Sequence, residues 1–297
     1  MKKYLIALLF FVFLSFSAHA EIKTREFNGV IYVDETTVAE IEDLFQKHNY
    51  IRFRARDDNE FPAIFIQKLP TDFRDIKSQK YRNELFIRML TPLAIKINEE
   101  ISNERQLLLR LERKYQKDKQ LSAEDTQKIE DLALKYDYFT RAKGNQRIDM
   151  QLEQLKLRIN IIPPSLLVAI AAMESNWGFS RVANVANSLY KEKVWFTNEG
   201  LEPLENKEDG YRFKIFDSLI DGMRSYALIF NSNINYQNVW ITREEAEKRR
   251  PYMIGENMAY TLSLASNLQN YVGILDYTTA FYDFMQLDNG KLKRVKP

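Results

Sequence analysis

A chain of 297 residues, 45% of them hydrophobic, with 19 Phe and 16 Tyr has the composition of a packed protein and the length for one large or two smaller domains. With no Cys and only two His, a cysteine nucleophile, a multi-histidine zinc site and disulfide support are all excluded. Lys plus Arg (43) nearly balance Asp plus Glu (41), which argues against a nucleic-acid binder relying on broad phosphate neutralisation, so any catalysis falls to carboxylates and tyrosines.

Residues 1–20 (MKKYLIALLFFVFLSFSAHA) read as a secretory signal. Lys2 and Lys3 form its charged start, Leu5 to Phe16 its apolar core, and Ala18-His19-Ala20 its cleavage site. A permanent membrane anchor is the alternative, but the apolar run is short for a bilayer span. Cleavage after Ala20 predicts an exported protein of the periplasm or cell envelope with no permanent span. It removes two basic residues and no acid, leaving the mature charge near zero. It also leaves His48 as the one histidine a Ser-His-Asp triad could use.

The segment EFNGVIYVDETT suggests a strand and turn, and VAEIEDLFQKHN a helix with Val38, Ile41, Leu44 and Phe45 on one face. From Tyr81 the pattern is helical over a long distance. Ile97, Ile101, Leu108, Leu111 and Tyr115 share a stripe, and charge runs such as ERKYQKDK fill the solvated side. Ser122 with Asp125 resembles a capping box opening a second long helix, antiparallel to the first, through about Tyr138. KGNQ punctuates the chain at 143–146, and a helix through Leu157 leads to Pro163-Pro164, which suit a first helical turn. LLVAIAAMES continues that helix to a stop near Gly178. KVWFTNEGLEPLENKEDGYRFKIF then has the alternation and turn residues of a β-hairpin or small irregular sheet. Helices resume at Asp217, with Leu219, Met223, Tyr226 and Phe230 on one face. Thr242 with Glu245 predicts the cap of another, and two more follow at roughly 256–267 and 277–286. The expectation is a mainly α protein with one small β insertion.

One carboxylate stands out. Leu167, Ile170, Ala171 and Glu174 are spaced i, i+3, i+4, i+7, so Glu174 continues an apolar stripe. Burial disfavours the charged form of a carboxyl, and a neutral acid is what protonating a leaving oxygen requires. Trp177 is placed to shield that site or to stack on a sugar face. The competing reading is structural, a helix-terminal Glu paired with Arg181 or Arg212.

MESNWGFSRVANVANSLY resembles the E-S-x-W-G-x-S-R-x-A-x-x-x-N-N-L-F/Y-G segment of the family-73 glycoside hydrolases, matching at Glu174, Ser175, Trp177, Gly178, Ser180, Arg181, Ala183, Asn187, Leu189 and Tyr190. Downstream, FKIFDSLIDGMRSYALIFNSNINYQNVW is similar to the family's Phe-, Ser- and Tyr-bearing element. LQNYVGILDYTTAFYDFM is similar to its closing segment through Leu268, Tyr271 and Tyr277. KLPTDFRDIKSQKYRNELFIRMLTPLAIKINEEI resembles the helical region that precedes this domain in the Bax-like branch. The resemblance covers roughly 68–287. It departs in three places: Ser188 stands for the second Asn, no Gly follows Tyr190, and Arg212 occupies the place of a second acid that many relatives carry.

The resemblance implies a lysozyme-like α+β domain at 146–290, with a helical lobe and a small β lobe around a sugar cleft. A mostly helical region at 21–145 would precede it. It implies an endo-β-N-acetylglucosaminidase acting on peptidoglycan glycan strands, with Glu174 as general acid and no metal or organic cofactor. The second group is left open among Glu208 or Asp209 on a β-lobe loop, Tyr271, and the acetamido group of the substrate. Trp177, Asn187, Tyr190 and Trp195 are the candidate sugar-binding residues; Phe196 is expected in the core. Two rivals stand beside this reading: a lytic transglycosylase, and a non-catalytic glycan-binding or scaffold protein that docks a partner through its N-terminal helices.

Overall fold

The computed structural model of the protein describes residues 23–205, 207–249, 254–265 and 271–295; the expected export segment, 1–20, lies outside them. The first element is a hairpin of β1 (Thr24–Phe27) and β2 (Val30–Val33). Its two-residue turn, Asn28-Gly29, has both residues at positive φ, 51° and 71°, as a tight hairpin of this twist requires. Helices α1 (Val38–Lys47) and α2 (Arg52–Asp58) follow, then β3 (Glu60–Pro62) and β4 (Ile64–Ile66). β4 lies parallel to β2, which completes a three-stranded sheet in the order β1-β2-β4. Helix α1 opens on a complete capping box between Thr37 and Glu40 and buries Ile41, Leu44 and Phe45, the face its periodicity predicts.

The spine of the molecule is α3 (Gln79–Asp118), 40 residues long. Its predicted stripe, Ile97, Ile101, Leu108, Leu111 and Tyr115, is buried throughout. Pro92 sits inside it, where a missing N–H leaves the carbonyl four residues back without its helical partner. That carbonyl belongs to Arg88, and the hydroxyl of buried Tyr50 donates to it at 3.0 Å. α4 (Ala123–Lys135) returns along α3, capped by Ser122, whose hydroxyl accepts from the N–H of Asp125. α5 (Gly144–Arg158) packs beside both, and α6 (Pro164–Ser175), α7 (Arg181–Ala186), β5 (Lys193–Trp195) and β6 (Tyr211–Phe213) follow. The last pair is antiparallel and forms the small β lobe predicted over KVWFTNEGLEPLENKEDGYRFKIF. α8 (Leu219–Ser232), α9 (Gln237–Arg249), α10 (Ile254–Ala265) and α11 (Tyr271–Phe281) return to helix, and a 3-10 turn at Phe284–Asn289 leads to β7 (Lys291–Lys293). β7 pairs in parallel with β3, which ties the C-terminal end of the described chain to the N-terminal region.

The protein is mainly α, with a helical lobe and a small β lobe. The β content is spread more widely than one insertion, because the strands before residue 67 form a sheet of their own and β3 recruits a partner from the far end of the chain. Thr242 is not a helix cap. α9 begins at Gln237, and the Thr242 hydroxyl bonds that of Thr261 across to α10 at 3.0 Å. One hydrophobic cluster runs from Val30 to Val295, with α3 packed on α6, α8 and β4. Among the described residues no helix is long and apolar enough to cross a membrane.

Candidate active site

The site is built on the end of α6. Pro163 and Pro164 start this helix without donors of their own, and every residue from Pro164 to Ala172 is buried. The apolar stripe through Glu174 is therefore part of a helix that is apolar all round, enclosed by α3, α10, α11 and the C-terminal 3-10 turn. Glu174 lies where that helix surfaces, its side chain 29% exposed. The helix ends abruptly because Asn176, Trp177 and Gly178 all take positive φ, 51°, 56° and 73°. Ser175 locks this reversal: its hydroxyl donates to Ala171 O at 2.5 Å and accepts from the N–H of Gly178 at 2.8 Å. Ser180 caps α7 in turn. The two serines of the motif thus shape the chain and do not face the cleft.

Glu174 opens into a cleft of about 590 Å³ between the helical and β lobes. α6 supplies Ile170 and Glu174, the segment entering the β lobe supplies Tyr190, Lys191 and Lys193, β6 supplies Tyr211 and Phe213, and α8 with the turn after it supplies Tyr226, Asn235 and Tyr236. Among the described lining residues Glu174 is the one carboxylate. Its charged neighbour is Lys191, Nζ to Oε2 at 3.9 Å. The arginines that could have held it structurally are engaged elsewhere, Arg181 with the carbonyl of Glu202 and Arg212 with that of Gly200.

Tyr190 donates to Leu167 O at 3.1 Å and lies flat on Tyr226, centroids 3.9 Å apart. Burial raises the pKa of its phenol, which stays a neutral donor. Burial also raises that of Tyr236, and the charge of Glu174 adds to it, against a hydrogen bond with Tyr226 that lowers it. A carboxylate thus faces protonated phenols, an arrangement able to move a proton and to hold sugar hydroxyls.

The remaining predicted residues fall in different places. Asn187 is buried, ends α7 at φ 50°, and donates to Phe216 O at 2.8 Å and Asp217 O at 3.4 Å. It ties the exit of the β lobe to the end of α7. Trp177 points to the opposite side, packed on Phe86, Tyr282 and Phe284, and lines a separate cavity of about 720 Å³. Trp195 is half exposed on β5, 5.5 Å from Tyr211 and just outside the cleft lining. Phe196 is not a core residue: it is 92% exposed at the tip of the β lobe, in a left-handed conformation that turns it outward. Glu208 is exposed in a 3-10 turn (Lys207–Asp209) and does not line the cleft, nor does Asp209. Tyr271 begins α11, and its side chain lies outside the described residues.

Lys191, Lys193, Tyr226 and Tyr236 line the cleft without having been predicted as site residues; Tyr226 was read only as part of one helix face. For the two tyrosines a signal existed, since both lie in the Phe-, Ser- and Tyr-bearing element. For the lysines none did, as nothing in their spacing separates them from solvated surface charge.

Residues 150–278 match the family described as mannosyl-glycoprotein endo-beta-N-acetylglucosaminidase. Protein bax of Escherichia coli (strain K12) is 28% identical over 177 residues, 60% of this chain and 61% of that protein's length. The catalytic domain of the autolysin Auto from Listeria monocytogenes superposes with a TM-score of 0.38 at 15% identity, covering 80% of this chain and 98% of that domain.

Proposed function

We propose, for a chain that carries a glucosaminidase-family domain at residues 150–278 and is related to Protein bax, that it is an exported hydrolase. Its substrate on this reading is the peptidoglycan glycan strand, cut at the β-1,4 bond that follows N-acetylglucosamine, with Glu174 as general acid. Residues 146–290 form the catalytic domain and 21–145 buttress it, chiefly through α3. The observation that carries the reading is that Glu174, the one carboxylate among the described lining residues, faces the cleft between the lobes and is surrounded there by tyrosines.

Glu174 donates its proton to the departing glycosidic oxygen while positive charge develops at the anomeric carbon. With Glu208 and Asp209 away from the cleft, the second group on this reading is Tyr271 or the substrate's own acetamido group; on the acetamido route its oxygen bonds to that carbon as the leaving oxygen departs. Water then adds at that carbon, the bond from the acetamido oxygen breaks to return the acetamido group, and the water's proton passes to the Glu174 carboxylate, which restores the acid. Tyr236 and Tyr226 hold the sugar by hydrogen bonds and ring faces.

Glu174→Gln keeps the shape of the side chain and removes the proton. General acid catalysis contributes about 10²–10⁴-fold, so digestion of cell-wall sacculi should fall by at least roughly that lower bound. Melting should be nearly unchanged, because the partly exposed contact with Lys191 is worth at most about 1 kcal/mol. Near-normal digestion by the variant would sink the assignment. The single carboxylate also suits a lytic transglycosylase, whose product is a cyclic anhydro end. Mass analysis of the fragments separates the two, since hydrolysis adds the mass of water.

A further inference from the structure

The position that follows Tyr190 carries Lys191, in a left-handed backbone conformation at φ 52°. In the segment that the motif resembles, a glycine stands there, and glycine takes this conformation at no steric cost. A lysine held in it is strained, and strain of this kind collects at functional sites. Its contact with Glu174 does little to offset that strain. The two side chains are 42% and 29% exposed and 3.9 Å apart, a geometry that solvent screens to little net stabilisation.

Lys193, two residues on, supplies a second ammonium to the same wall, and Glu192 between them turns away to pair with Lys214 at 2.8 Å. The Lys193 Nζ is held 3.8 Å from the centre of the Tyr211 ring, a cation–π contact that fixes its direction. Two cations thus line a cleft in which the one described carboxylate is Glu174. An unsubstituted N-acetylhexosamine polymer offers these ammoniums no charged partner; a sugar that bears a carboxylate does.

We propose that Lys191 and Lys193 are specificity-determining residues that read a carboxylate carried by the glycan beside the bond served by Glu174. The proposal rests on the glycosidase reading for the position of that bond, and not for the existence of the anion-binding wall. In a peptidoglycan strand the acidic groups are the free carboxylates of the stem peptides and, on muramyl residues that carry no peptide, the lactyl carboxylate.

The test is cosedimentation of the full chain, on ice and at low salt, with native sacculi and with sacculi whose carboxyls have been capped as methylamides. Digestion of the native sacculi is measured in parallel. The wild-type chain should bind the native material roughly tenfold more tightly, a preference of about 1.4 kcal/mol. Lys191→Gly with Lys193→Gln should bind both materials alike, at the wild-type affinity for the capped form. Lys191→Gly relieves backbone strain, so a melting curve no lower than wild type is expected for the pair. Lys117→Gln, at the far end of α3, should keep the preference. Equal wild-type binding to both materials, or a preference that survives in the double variant, would overturn the proposal. If the preference holds and wild-type digestion is absent, the glycosidase reading fails alone. If digestion holds and the preference is absent, the lysine proposal fails alone.

Discussion

The carboxylate of Asp288 accepts two hydrogen bonds from Ser165, one from its backbone N–H at 2.8 Å and one from its hydroxyl at 2.9 Å. A residue of the C-terminal 3-10 turn thereby caps α6, whose own flanking prolines provide no side-chain cap. The helix that carries Glu174 is held in place from 123 residues away in sequence.

Burial pushes Asp288 up to about 7, against the bonds from Ser165 that lower it. An unfolded Asp titrates near 3.9. Below that value both states are protonated. As pH rises from about 4 to about 7, the unfolded chain gives up this proton and the folded chain keeps it, so the contribution of Asp288 to stability declines by about 1.4 kcal/mol per unit. Asp288→Asn is neutral throughout. Its melting temperature relative to wild type should rise between pH 4 and 7, and a difference that stays flat across that range contradicts the assignment.

Gly178 explains part of the motif through space and backbone together. A Cβ there would lie 2.9 Å from the ring of Phe73 and 3.0 Å from that of Phe86, at φ 73°. Overpacking of this kind costs about 1–3 kcal/mol, with left-handed strain of roughly 1–2 kcal/mol added. Gly178→Ala should therefore lower the melting temperature by on the order of 5–15 °C. Gly144→Ala is the control, at φ 56° with open space around it, and should lose only the strain. Equal losses for the two would remove the packing argument.

Arg243 is fully buried and faces backbone in place of acid. Its guanidinium donates to the carbonyls of Leu157, Arg158, Asn160 and Ile161 and to the side chain of Asn231. It closes the end of α5 and orients the turn into α6. Arg243→Leu orphans those carbonyls and should destabilise the protein by roughly 3–5 kcal/mol, since each buried unsatisfied group costs about 1–3 kcal/mol. Arg243→Lys should recover little, because a single ammonium lacks the planar fork. Full rescue by lysine in a chemical denaturation curve would show that charge, and not geometry, matters here.

The division of labour around the cleft is open to a paired measurement. Tyr236→Phe removes a hydroxyl beside Glu174 and should slow sacculus digestion by about tenfold, the value of a hydrogen bond of about 1.4 kcal/mol. Glu208→Gln, on the exposed 3-10 turn, should leave digestion within about twofold of wild type, since a group that acts as base must reach the reacting water. A hundredfold loss for Glu208→Gln with a silent Tyr236→Phe would reverse the roles and require the β-lobe loop to close over the cleft.

What the sequence determined by itself is local. The stripe along α3, the Ser122 cap, the proline start of α6 and the Asn28-Gly29 turn each follow from spacing or backbone preference within a few residues, and the structure has all four. The motif also singled out Glu174, which we propose as general acid, although the stripe argument for it was incomplete: α6 is apolar on every side, so periodicity could not tell which face meets the cleft. The rest was decided by packing between distant segments. Trp177 goes to the opposite side because three successive left-handed residues reverse the chain there, and its ring finds Phe86 and Tyr282. Thr242 looked like a cap because its spacing to Glu245 is local, whereas its partner, Thr261, lies on another helix. Lys191 and Lys193 became cleft residues only when the segment entering the β lobe came to line the same cleft as α6 and α8. A lone lysine in a sequence carries no periodicity and no partner, and only the tertiary arrangement brings its charge to 3.9 Å from Glu174.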